Sequence, residues 1–172
     1  RIVGKVKGPM LQLGLDTMAD NCRKAAEITK LLNVNSIPVG TDTAYNNPPK
    51  GRGFQTNGTQ STTPMHEMLT RKQLVLSLES YSQICTCANK NEPCRESCPA
   101  NIPRGYCLGS FEGQASQNNL QKIKTAGLVV GTIVADNSHQ IMAHKDPSIK
   151  KEECIVHMSR AQERKVFSLK FA

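Results

Sequence analysis

The sequence predicts an α+β fold, with two N-terminal helices and a disulfide-stapled loop packed on a C-terminal four-stranded antiparallel sheet. Three observations predict it. Apolar residues recur at three- and four-residue spacing near the N-terminus. Five of seven cysteines (Cys85, Cys87, Cys94, Cys98 and Cys107) crowd into one proline-bearing stretch. Beyond residue 120, runs of Val, Ile and Thr alternate with short turns. The length of 172 residues suits one domain spanning 1–172.

Residues 1–34 read as a strand followed by a helix. Residues 1–7 alternate weakly, as in a short edge strand. Asp16 or Thr17 then caps a helix reaching about Leu32, with Met18, Cys22, Ala25, Ile28 and Leu32 on one face. Residues 35–63, with Pro38, Pro48, Pro49 and many Asn, Thr and Ser, read as a long polar loop. Within it, Asn57-Gly58-Thr59 matches a glycosylation acceptor.

For residues 64–84 the expectation is a second helix, because Thr63-Pro64 supplies a capping hydroxyl followed by proline at the first helical position. The run Leu74 to Glu79 also reads as a strand, and the start signal decides for helix. Residues 85–119 form the cysteine-rich loop, where Pro93, Pro99 and Pro103 block regular structure. Residues 120–172 supply the sheet. Its expected strands are Ile123 to Ala135, Gln140 to His144, Glu153 to Arg160 and Lys165 to Phe171, with a turn at Asp136-Asn137-Ser138.

Clustered cysteines staple a loop, hold a metal or run redox chemistry. Disulfides are the leading reading, because a proline-rich loop without core residues is what they stabilise. All seven cysteines, Cys22, Cys85, Cys87, Cys94, Cys98, Cys107 and Cys154, are candidates. A bridge from Cys22 on the helix to Cys154 on the sheet is one expected pairing. The alternative is a metal protein using Cys85, Cys87, Cys94 and Cys98. For zinc, Cys-x-Cys is a poor knuckle. For an iron–sulfur cluster, Cys98-Pro99 resembles the end of a ferredoxin-type motif.

Catalytic signals are weak. His139 and His144 lie five residues apart, on opposite faces of a flat strand, and Cys154 and His157 fail by the same parity. No nucleophile elbow or phosphate-binding glycine loop is present. An enzyme of unrecognised type, working through His139, His144 and His157, stays as a further alternative.

The formal net charge is +8, with +3 in residues 1–34 and +4 in residues 120–172. Such basic ends suit contact with an anionic surface. Gly51-Arg52-Gly53-Phe54 could touch RNA, but aromatic residues make up only 4% of the chain, so stacking platforms are scarce and nucleic acid is disfavoured as a partner. No apolar run is long enough to span a bilayer. The first residues, Arg-Ile-Val-Gly-Lys, read as a processed terminus.

The expected function is therefore a non-catalytic, exported or surface-associated domain that binds a protein partner or assembles with itself. Its contact loop would carry Lys50, Arg52 and Phe54. No cofactor is expected, and the location is extracytoplasmic.

Overall fold

The computed structural model describes residues 2–46, 59–87, 94, 96, 98–103, 106–136, 146–155 and 159, with side chains from Gly8 onward. Two α-helices lie among these residues, α1 (Ile2–Leu31) and α2 (Glu112–Thr125). The strands are β1 (Ile37–Thr41), β2 (Ala44–Tyr45), β3 (Gln60–Glu67), β4 (Val75–Ser82), β5 (Val130–Ala135) and β6 (Lys150–Glu153).

All six strands form one mixed sheet. β4 pairs antiparallel with β3 from Gln60 to His66, and β1 pairs antiparallel with β3 at Met65 to Glu67. Those ranges overlap, so β1 and β4 occupy opposite edges of β3. β2 pairs with Ser61 and Thr62 on the β1 side. On its other edge β1 runs parallel to β5, which runs parallel to β6. From edge to edge the order is β4, β3, β1 with β2, β5, β6.

The expected four-stranded antiparallel meander is thus replaced by a mixed sheet whose central strand comes from the segment read as a polar loop. Ile37 and Val39 are fully buried there. A five-residue strand that contains Pro38 and Gly40 and is flanked by Asn35, Ser36, Asp42 and Thr43 carries too short an apolar pattern to stand out. The helix expected over 64–84 is instead the β3–β4 hairpin. Thr63 and Pro64 lie inside β3, and the strand reading of Leu74 to Glu79 is the one that holds. Ser61, Thr63, Met65 and Glu67 are buried at alternate positions, a period of two hidden in sequence because three of the four are polar.

Glu67 closes this hairpin. Its carboxylate accepts from the Thr70 backbone N–H and hydroxyl and from the Leu74 N–H. Burial alone would raise its pKa. The Thr70 hydroxyl and the backbone donors outweigh that and hold it below the ordinary value.

Where a short strand is expected over residues 1–7, residues 2–7 are helical, and α1 starts upstream of Asp16 and Thr17. Those two caps sit mid-helix, where Gln12 donates to Asp16 and the Thr17 hydroxyl donates to the Leu13 carbonyl. Of the expected stripe, Cys22 and Ala25 are buried and Met18 and Ile28 half-buried, whereas Leu32, just past the end of α1, is exposed. The cysteine-rich loop over 85–119 gives way to a 3-10 turn (Leu108–Phe111) and then α2. The strand expected from Ile123 begins only at Val130, because α2 runs to Thr125 and ends in a glycine-capped turn. There Gly127, at φ +85°, donates to Lys124, and Leu128 donates to Ile123. β6 ends at Glu153, where the third expected strand should begin. The expected strands Gln140 to His144 and Lys165 to Phe171 lie outside the described residues.

One buried cluster joins Cys22 and Ala25 of α1, Leu120 and Ile123 of α2, and Ile37, Val39, Met65, Leu76 and Ile133 of the sheet. A second holds Tyr81, Ile102, Leu108 and Ala115, with Tyr45 and Phe111 packed against it. Asn119, fully buried, ties α2 to the polar strand face, accepting from the Ser77 hydroxyl at 2.7 Å and donating to the Thr63 carbonyl at 2.7 Å.

Candidate functional site

The parallel register of β1 and β5 pairs Val39 with Ile133 and Gly40 with Val134. Carried two residues further, it sets Asp42 level with Asp136, each one residue past its strand's C-terminal end. Neighbouring strands lie about 4.8 Å apart. Two aspartates therefore follow the carboxyl ends of the central parallel pair at one level of the sheet. β1 has an antiparallel neighbour, β3, on one edge and a parallel one, β5, on the other. Asp42 is exposed, and its Oδ1 accepts the Thr43 backbone N–H at 2.8 Å.

Further ionisable groups border the pair. The Tyr45 hydroxyl donates to Glu112, the first residue of α2. Burial, then the Glu112 hydrogen bond and charge, then Cys107 and Asp136, push the Tyr45 phenol well above its usual range. Lys151, on β6 opposite Ile133, has its ammonium buried without a hydrogen-bond partner among the described residues. Burial lowers its pKa, against the opposing charges of Asp136 and Glu153. His66 packs over Gly40 of β1. Burial lowers the His66 pKa, with Glu67 opposing.

A second constellation lies between β4 and α2. The sulfurs of Cys85, Cys87, Cys94 and Cys98 all fall within 4.8 Å of one another. Cys85 and Cys94 are 3.6 Å apart, and Cys85 and Cys98 are 3.8 Å apart. A disulfide needs about 2.05 Å, and none of the seven cysteines is in one.

The disulfide reading of the cysteines is thereby corrected, and the four-ligand alternative is the arrangement found. Cys107 stands apart, its sulfur 3.0 Å from the Ser110 hydroxyl. Cys22 and Cys154 cannot meet. Cys22 donates to Leu76 on β4, whereas the backbone N–H of Cys154 follows β6 and donates to Ala135. Four strand spacings, about 19 Å, separate those edges. Lys50, Arg52, Phe54, His139, His144 and His157 lie outside the described residues.

Sequence reasoning missed Asp42, Asp136, Tyr45 and Glu112, treating the first two as loop and turn residues. A signal was present. Ile37 to Asp42 and Val130 to Asp136 are both short β-prone runs that stop at an aspartate.

Among the described residues no helix is long and apolar enough to cross a membrane. The family model for Mutator-like transposases matches residues 2–172. No curated protein and no solved structure matches the chain.

Proposed function

This chain belongs to the Mutator-like transposase family, and from that premise we propose that Asp42 and Asp136 are the carboxylates at which it cuts and joins DNA strands. The observation that carries the assignment is the parallel β1–β5 register, which brings two acidic residues 94 positions apart in sequence to one level of the sheet.

Family membership corrects several expectations. The chain is not a non-catalytic binding or assembly domain, because the family's activity is enzymatic recombination of DNA. DNA, disfavoured as a partner on the low aromatic content, becomes the expected one. Aromatic stacking is a single-strand device, whereas duplex binding rests on neutralising phosphates, which the +8 charge suits. The secreted, disulfide-bonded, extracytoplasmic reading falls with the same match and with the absence of any disulfide.

Strand transfer is an in-line displacement at phosphorus. A water or 3′-hydroxyl oxygen forms the new P–O bond while the bond to the leaving strand's oxygen breaks. Asp42 and Asp136 offer hard carboxylate oxygens, and one or two carboxylates plus substrate phosphate is the usual seat of a magnesium-type cation. Such an ion would supply Lewis-acid stabilisation of charge on the phosphoryl oxygens. The exposure of Asp42 leaves room for a phosphodiester to approach. Glu112, held by Tyr45, adds a third carboxylate at the border of the site.

Asp42→Asn and Asp136→Asn test the reading. Each should lower manganese-supported nicking of plasmid DNA by about 100-fold or more while leaving the circular dichroism and melting temperature unchanged. Full nicking by both folded variants would sink it.

A further inference from the structure

We propose that Cys85, Cys87, Cys94 and Cys98 form a structural zinc site that fixes the connection between β4 and α2. This inference is independent of the DNA-cutting assignment. Four thiolates around one zinc ion, each about 2.3 Å from it, stand about 3.8 Å from one another at the corners of a tetrahedron. The observed separations of 3.6 and 3.8 Å match that edge, and all four sulfurs fit within the 4.8 Å limit. Iron–sulfur clusters seat their cysteines on different irons and spread the sulfurs further. The hole here is the size of a single ion, and an all-cysteine set of four is one that structural zinc takes.

Backbone N–H groups of Ala100 and Thr86 donate to the Cys98 sulfur. Such N–H to sulfur bonds orient metal ligands and offset the charge of the thiolates. Binding would release the thiol protons to solvent.

Position gives the site its purpose. Three residues beyond Cys98, Asn101 locks onto the end of β4, donating to the Ser80 carbonyl and accepting from the Ser82 N–H, while its own N–H donates to the Ser82 carbonyl. Ile102 enters the second core cluster, and Leu108 and Phe111 lead into α2, whose first residue Glu112 meets Tyr45. Among the described residues from Cys85 to Ala100 none belongs to a core cluster, so a metal clip would restrain this crossover ahead of Asn101. Zinc would thus hold the arm that borders the two strand-end aspartates.

The test begins with the full chain purified without chelator from medium containing both zinc and iron. One zinc per chain is expected, released by a thiol-specific mercurial in step with the loss of four thiols. Cobalt substitution should give the charge-transfer bands of a tetrahedral tetrathiolate. Cys107→Ser and Cys154→Ser should keep the metal, whereas Cys85→Ser and Cys98→Ser should lose it. Should the last two fail to fold, the mercurial titration and cobalt spectrum of the unaltered chain still decide. Iron in place of zinc, disulfides among the four cysteines, or a folded chain with four alkylatable thiols and no zinc taken up from excess would each overturn the proposal.

Discussion

The Tyr45 hydroxyl hydrogen-bonds the Glu112 carboxylate, joining the chain just beyond Asp42 to the first residue of α2. Tyr45→Phe removes that bond and leaves Glu112 without its donor. It should cost about 0.5–1.5 kcal/mol in denaturant unfolding. Because the phenol is held protonated, wild type and variant should show the same phenolate absorbance change up to about pH 11. A smaller change in the variant would show that Tyr45 ionises normally and that the contact is weak.

Gly40 is the only residue type that fits beneath His66. A Cβ at Gly40 would lie 2.6 Å from His66 Nε2 and 2.8 Å from its Cε1. Gly40→Ala should destabilise the protein by about 1–3 kcal/mol. Adding His66→Ala should return most of that loss, giving a strongly non-additive double-mutant cycle. Additive effects would mean that backbone conformation, not the ring, excludes the methyl group.

Asn119 is the polar bolt between α2 and the sheet. Asn119→Ala strands the buried Ser77 hydroxyl and the Thr63 carbonyl. The expected cost is about 2–4 kcal/mol, read from the midpoint of urea unfolding. A loss below about 0.5 kcal/mol would indicate that water replaces the amide.

Asp146 links α2 to the approach to β6 through Lys124 and Ser148. Hydrogen bonding by Lys124, then by Ser148, brings its carboxyl down to about 2. The folded pKa lies below the unfolded value of about 3.9. The stabilisation is therefore complete above pH 4 and lost as pH falls toward 2. Melting temperatures across that window should drop less steeply for Asp146→Asn than for the wild type. Parallel curves would remove Asp146 as a source of the acid sensitivity.

Some of this molecule was legible from residue order alone. The α1 stripe of Cys22 and Ala25 could be read, because helical periodicity is local and three or four residues suffice to display it. The β-character of Val130 to Ala135 could be read for the same reason. So could the cysteine cluster, and the choice between its uses narrowed to bridges or a metal.

Tertiary structure decided the rest. β3 hides polar residues on its buried face, and partners brought by the fold make that burial tolerable: Asn119, 56 residues from Thr63, donates to its carbonyl, and Thr70 and Leu74 donate to Glu67. Asp42 and Asp136 look like ordinary turn residues until a parallel register aligns them, and parallel pairing is a long-range choice with no local signature. Cys-x-Cys looked like a poor knuckle because spacing along the chain was compared with familiar patterns, whereas a metal site depends on where the folded loop puts four sulfurs in space. Sequence determined which side chains could do chemistry here. Strand order and loop closure determined which of them meet.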